Sequence, residues 1–393
     1  MGTGGDISVK WLFWIAAAYV FYTYLGYALW LRLRLVWRRR PVMRGTATPR
    51  VSIVMVVRNE EAELAAKLDN LGALDYPSPQ VVVVSDGSTD GTEAILQKYG
   101  REGKILPVLK QISEGKAAGL NDALPLAHGE IVLFTDARQR IEADAVRLLV
   151  ENFCDPDVGC ASGELMLGDP AAGESAAGMG LYWRIEKRVR ELESASGSVI
   201  GATGALYAAR REYVPEIPQG TILDDVYVPM QIVRQGKRVI FDGRARAWDR
   251  ADLGSEREFG RKVRTLRGNY QLVQRAPWLL GRENPERFQF VSHKLMRLFC
   301  PFALLALLLA ALALPQPVYR AALIANLLFY GLSGLALLPV RLGPLGRVAD
   351  AAKTFVVLNA AATVAFFDFA RGKKISWAPM AGEAKRMSGV EAR

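Results

Sequence analysis

The strongest constraint on this 393-residue chain is its division between apolar runs of near-spanning length and a charged middle. A bilayer core asks a helix for about 20 consecutive apolar residues. Runs at about 9–31, 298–314 and 321–340 meet or approach that length, and a fourth at about 354–369 is shorter. The first is rich in Trp and Tyr, whose rings favour the membrane–water interface. Its positive charges follow it (Arg32, Arg34, Arg38, Arg39, Arg40) and no small-residue cleavage pattern appears, so it reads as an anchor and not a removed signal. An apolar fraction of 51% beside 23% charged residues fits a polar domain joined to membrane segments.

Basic flanks set the expected orientation. They put residues from 36 onward in the cytoplasm of a multi-pass protein of the inner (plasma) membrane, with the N-terminus outside. The loop carrying Arg341, Arg347 and Lys353 is then also inside if the second and third runs cross. A full crossing by the fourth run conflicts with the rule, because it leaves Arg371, Lys373 and Lys374 outside. The net charge of +10 is concentrated beside apolar runs, so membrane lipids are the expected partner and nucleic acid is not. The cysteines (Cys154, Cys160, Cys300) show no paired metal spacing and read as reduced thiols. Two histidines, His128 and His293, argue against a His-based triad or a zinc site.

From Val51 to Asp249 short β-branched runs alternate with amphipathic stretches, the pattern of an α/β domain with a mostly parallel sheet. Strands are predicted at Val51–Val57, Val81–Val84 and Ile131–Phe134, with helices over 60–71, 92–99 and 228–235. The second and third strands run into acids (Asp86 and Asp90; Asp136), and open α/β sheets bind ligands at strand C-termini. Each acid also has a local alternative, since Asp caps helices and makes turns. Gly115-Lys116 enters a helix without the spacing of a P-loop. Asp224 and Asp225 sit side by side in an apolar setting, where burial and a like charge raise a carboxylate's pKa toward that of a general base. Their alternative is a helix N-cap. The stretch 181–193 aligns Tyr182, Ile185, Val189 and Leu192 on one side, which predicts a packed helix with a charged outer face. Trp183 and Glu186 on it are candidates to line a ligand groove if the helix borders the site.

The resulting organisation is an anchor (1–35), a basic linker (36–50), an α/β domain (51–250), amphipathic interface helices (251–292), C-terminal membrane helices (293–370) and a basic tail (371–393).

Taken in order, VSIVMVVRNEE (51–61), SDGSTDGT (85–92), GKAAGLNDAL (115–124), FTDAR (134–138), GATGALYAARR (201–211) and LDDVYVPMQIVRQGKRV (223–239) resemble the family 2 inverting glycosyltransferases of GT-A fold, in their membrane-anchored, polysaccharide-synthase-like branch. The resemblance implies a Rossmann-like nucleotide-diphospho-sugar transferase domain inserted between transmembrane helices. It implies transfer from a nucleotide-sugar, a UDP-sugar foremost, to a glycan or lipid acceptor at the cytoplasmic face, with Mg²⁺ or Mn²⁺. On it, Asp86 recognises the nucleoside, Asn59 and Glu60 lie beside the nucleotide, Lys116 and Arg264 serve the donor, and Asp136 holds the metal. Asp225 is the catalytic base, and Gly204, Asp224 and Trp183 fall on the acceptor side.

Two departures from the family pattern stand out. Arg138 occupies the place of a second metal-binding acid, and has two candidate partners: the donor diphosphate, or Glu142 on the following helix. The Gln-x-x-Arg-Trp motif of processive members is reduced to Arg261-Lys262-Val263-Arg264-Thr265, without the Gln or the Trp. A lipid-phosphate acceptor is the alternative, with Arg261, Lys262, Arg264 and Arg267 as its basic surface, and a nucleotide-binding pseudo-transferase is a further one.

Overall fold

The computed structural model describes residues 3–168, 181–249, 255–337 and 344–373. Its centre is an eight-stranded sheet: β1 (Val51–Val57), β2 (Gln80–Asp86), β3 (Leu106–Lys110), β4 (Ile131–Phe134), β5 (Arg140–Ile141), β6 (Val158–Leu167), β7 (Tyr207–Arg210) and β8 (Arg238–Asp249), in the order β3-β2-β1-β4-β7-β6-β8-β5. The first four are mutually parallel, with Val54 of β1 opposite Val82 of β2 and Phe134 of β4. All of β1 is buried, because helices cover both faces of a β-branched run.

Alternation along that strand sorts the two cores. Ile53, Met55 and Val57 face Leu64 and Leu68 of the Glu61–Gly72 helix. Val54 and Val56 face Leu120 of the Lys116–Ala123 helix and Val226 of the Asp224–Arg234 helix. Each fully buried Val or Leu is worth about 1.5–3 kcal/mol of transfer free energy. The far half of the sheet differs from the parallel expectation. There β7 runs antiparallel to both β4 and β6, while β8 is parallel to β6 and antiparallel to β5. Glycines and charged residues interrupt β6 and β8, and β5 and β7 are short, so no continuous β-branched run marks them.

Among the described residues four helices are long and apolar enough to cross a membrane: Ile7–Trp37, Arg287–Ala313, Pro317–Leu335 and Leu345–Ala370. The first two pack antiparallel. Tyr22 meets Ser292 (2.8 Å between hydroxyls), Tyr19 donates to the Met296 carbonyl (2.9 Å), and Phe13 packs on Ala310 and Leu314. Both carry a π-turn where they face each other, at Tyr22–Gly26 and Val291–Leu295.

The fourth apolar run is longer than its sequence pattern predicts, because Arg347, Asp350 and Lys353 lie within a helix that starts at Pro344. Its C-terminal end lies on the domain's side. The Ser255–Arg275 helix packs Val263 on Ala361 and Ala365, while its Gly268 abuts Leu223 of the α/β domain. Arg267 pairs with Asp368 (3.8 Å) and donates to the Lys373 carbonyl. Arg371 and Lys373 therefore share the domain's side, while Arg347 and Lys353 lie toward the other end of the same helix. Arg341 of the preceding loop, Lys374 and the rest of the basic tail lie outside the described residues.

Candidate active site

The strand-end acids and the Gly-Lys helix converge. Lys116, in the first turn of its helix, lies with Nζ 2.9 Å from Asp136 Oδ1 and 3.2 Å from Asp224 Oδ2. Gly204 lines the space between the remaining acids: a Cβ there would stand 3.3 Å from Asp225 Oδ2 and 3.7 Å from Asp136 Oδ2. Only a residue without a side chain keeps that gap open.

Asp224 and Asp225 do not cap their helix. It begins at Asp224, four residues before the predicted start, and Leu223 occupies the N-cap without a side-chain bond. The two carboxylates therefore occupy its first turn. Burial, followed by the charge of Asp224, pushes Asp225 up to about 6, against the pull of Lys116. Burial also raises Asp224, which Lys116 opposes. Burial works against the charge on Lys116, but Asp136, Asp224 and Asp225 outweigh it and raise its pKa.

Asn59 and Asp86 hold loops in this structure. Asn59, at φ 53°, accepts from the Thr89 amide at 2.8 Å. Asp86 is completely buried and accepts from the Ser113 hydroxyl (2.6 Å) and the amides of Glu114 and Gly115 (both 2.9 Å). Gly87 permits that approach, since a Cβ there would stand 2.6 Å from the Ser113 amide nitrogen. Asp86 thus fixes the chain that leads into Lys116. Asp90 follows the local alternative and accepts from the amides of Thr92 and Glu61. Glu60 is raised to about 7 by burial and by Asp136, against the opposing charge of Arg138.

Arg138 does not pair with Glu142, the protein partner predicted for it. Its guanidinium binds both oxygens of the buried Asp249 (3.0 and 2.8 Å), while Glu142 accepts from the Trp248 indole at 2.7 Å. The proposed basic surface is largely committed elsewhere. Arg261 pairs with Asp249 (3.6 Å), Lys262 with Glu258, and Arg267 with Asp368. Arg264 keeps a buried Nε without a hydrogen-bond partner. Trp183 is half-buried.

The Leu181–Ser196 helix is packed and keeps a charged outer face, carrying the exposed ion pair of Arg188 and Glu191, but not every charge lies on it. Val189 and Leu192 pack on Tyr27 and Leu31, but Ile185 is exposed and Glu186, Arg190 and Glu193 turn inward. Arg190 bonds Thr203 and Ser162 (both 2.7 Å) and contributes to the field at Asp225. Its face reads as solvated in sequence because nothing local reveals the partners that cover it. Lys67 is another residue the sequence reading missed. Buried beneath the Asp136 loop, it donates to Thr135 Oγ1 (2.9 Å) and the Gln139 carbonyl (2.7 Å), and burial lowers it to about 7. One signal was available: Lys67 shares the stripe of Leu64, Leu68 and Leu71, where a solvated Lys does not belong.

Comparison with known proteins gives this sheet and its strand-end acids a context. Residues 52–217 match the family model for Glycosyl transferase family 2, so the chain carries a glycosyltransferase family 2 domain. Poly-beta-1,6-N-acetyl-D-glucosamine synthase of Staphylococcus aureus (strain COL) is 21% identical over 273 residues, covering 67% of this chain and 64% of the relative. The Staphylococcus epidermidis protein of the same name is 21% identical over 276 residues, covering 68% and 64%. The chain thus spans about two thirds of the length of these curated relatives, 64% in both. Among solved structures, a mannosyltransferase from Pyrobaculum calidifontis in complex with GDP-Man and Mn²⁺ superposes with a TM-score of 0.70 at 24% identity, over 92% of this chain and all of that one. That likeness establishes the GT-A fold.

Proposed function

We propose that this chain is a membrane-embedded inverting glycosyltransferase that moves a sugar from a nucleotide-sugar, a UDP-sugar foremost, to a hydroxyl of a glycan or glycolipid acceptor. The observation that carries this reading is Asp225, raised to about 6 and facing Asp136 across the gap that Gly204 leaves open. A carboxylate so tuned is ionised near neutral pH yet basic enough to take a proton. The acceptor oxygen attacks the anomeric carbon as its proton passes to Asp225, and the bond to the diphosphate breaks on the opposite face. The anomeric centre inverts in one step.

Lys116 holds the carboxylates together and sits where the donor's negative charge would lie, with Arg264 as a second cation for the diphosphate. Asn59, Glu60 and Asp86 shape the nucleotide side through the loops they fix. The donor set fits a divalent ion in one specific way. Asp136 is a half-exposed carboxylate, and among the described residues no group of three or more His, Cys, Asp or Glu is placed to hold a metal. A Mg²⁺ or Mn²⁺ ion held through Asp136 would take its remaining ligands from donor phosphates and water, a common coordination for Mg²⁺ at phosphate sites. Such an ion supplies neutralisation of the leaving diphosphate. The Mn²⁺ of the Pyrobaculum mannosyltransferase supports this assignment, and the name of the staphylococcal relatives supports a glycan acceptor.

On this reading the protein is a multi-pass inner-membrane protein with its transferase domain in the cytoplasm, supported by Arg38–Arg40, Arg371 and Lys373 lying on the domain's side. Gly204, Asp224 and Trp183 belong to the acceptor side. The reading is tested by incubating the detergent-purified chain with UDP-, GDP- and dTDP-sugars, Mg²⁺ or Mn²⁺ and an oligosaccharide acceptor. Nucleotide release is expected with a UDP-sugar and is expected to be lost in Asp225→Asn. A folded sample releasing nucleotide from no donor would refute the reading, and release that survives in Asp225→Asn would refute the base.

A further inference from the structure

A lysine occupies a core position beneath the proposed site. Lys67 lies on the Glu61–Gly72 helix, in the stripe of Leu64, Leu68 and Leu71, and is 3% exposed. A leucine or methionine there would continue the stripe, whereas an ammonium loses its hydration on burial. Its Nζ bonds neutral partners, which offset that loss less than a carboxylate in contact would. Burial works against the charge, and Asp136 favours it. A buried cation of this kind calls for a task.

The ammonium spans a turn. Thr135 Oγ1 (2.9 Å) and the Gln139 carbonyl (2.7 Å) flank Asp136-Ala137-Arg138, so one Nζ ties both ends of that turn. Each end is held a second time. Gln139 donates to Asp249 at 3.1 Å, the carboxylate that also binds Arg138. Thr135 donates to the Ala205 carbonyl at 2.8 Å, in preference to the Asp136 carbonyl at 3.4 Å. The direction of this relay is fixed, because an ammonium only donates and a hydroxyl has one proton to pass on. Ala205 follows Gly204, whose missing side chain leaves open the gap between Asp136 and Asp225. The relay from Lys67 through Thr135 to Ala205 therefore runs beneath both the Asp136 side of the gap and its Gly204 floor.

Resting on the proposed transferase reading, we infer that Lys67 is a positioning residue: through Thr135 it holds the Asp136 turn against the Gly204 loop, and so fixes Asp136 for a divalent ion. Buried under the turn, it acts on the ion only through Asp136. Positioning and charge predict opposite signs. An ammonium near Asp136 repels a metal cation, so loss of the charge alone would tighten metal binding. Loss of the clamp loosens it, and partners that orient a metal ligand typically account for about 10–100-fold in metal affinity.

The test compares Lys67→Met, Thr135→Val and Thr135→Ser with the unmodified full chain in detergent. Free Mn²⁺ is followed by its EPR signal in titrations with UDP present, against blanks of UDP alone, which needs no turnover. Hydrogen exchange of segments 134–140 and 202–207 is read by mass spectrometry in the same samples. Lys67→Met and Thr135→Val are expected to raise the Kd for Mn²⁺ by about tenfold or more. Both should also speed exchange in both segments, including 202–207, which residue 67 does not touch directly. Thr135→Ser keeps the hydroxyl and is expected to behave as the unmodified chain. Thr135→Val decides the matter if Lys67→Met does not fold. Exchange at 202–207 that is unchanged in the folded variants would overturn the inference, and so would a Kd for Mn²⁺ that stays the same or falls. An unmodified chain that takes up no Mn²⁺ would refute the metal assignment of Asp136, and the exchange at 202–207 then decides the clamp by itself.

Discussion

Lys116 and Asp136 meet at 2.9 Å although the sequence sets them on different elements, a helix start and a strand end. The same ammonium reaches Asp224 at 3.2 Å, so one cation holds together the two acidic stretches of the proposed site. Removing it changes every neighbouring carboxylate in a predictable direction.

Lys116→Met is expected to raise the pKa of Asp225 above about 6, because a stabilising positive charge is lost while Asp224 and Asp136 remain. The acidic limb of the pH profile of kcat/KM should move to higher pH. Measuring that profile in both proteins decides the point, and an unmoved limb would dissociate Lys116 from the base.

In the unmodified chain a base must be deprotonated to work, so kcat/KM should rise through pH about 6 and level above it. Asp225→Asn should lower kcat by about 10²–10⁴-fold, the usual share of general-base help. Thermal unfolding of the same variant checks that the fold survives.

Gly204→Ala introduces a methyl 3.3 Å from Asp225 Oδ2 and 3.7 Å from Asp136 Oδ2. These contacts are tight without being a clash, so stability should change little. A fall in kcat/KM of tenfold or more, with an unchanged Tm, is the expected result. A variant with full activity would show that the gap need not stay open.

Asp136→Ala should abolish the dependence of turnover on added Mg²⁺ or Mn²⁺ as activity falls. Arg138→Ala should instead act on stability, since it strips two charge-assisted bonds from the buried Asp249. A loss of about 1–3 kcal/mol is expected. A metal titration and denaturant unfolding of both variants separate the two roles.

The parts of this protein legible in its sequence are those decided by nearest neighbours and solvent. Continuous β-branched runs marked β1, the core of β2 and β4, and apolar length marked the membrane-helix candidates, because burial on both faces and the thickness of a bilayer each leave a local pattern. The acids at strand ends were legible for the same reason. Strands β6 and β8 were not, since Gly163, Gly243 and charged residues break their pattern, nor was β7, which spans four residues, and the pairing of all three is long-range. Tertiary structure alone decided which charges meet. Arg138 finds Asp249 at the end of the last strand, Lys116 bridges Asp136 and Asp224, and Glu186 and Glu193 turn from an apparently solvated face onto His293. A helix position specifies the direction of a side chain, but its partner depends on what distant segments bring against it. The sequence determined that acids would stand at strand ends; the packing of remote elements decided what each of them touches.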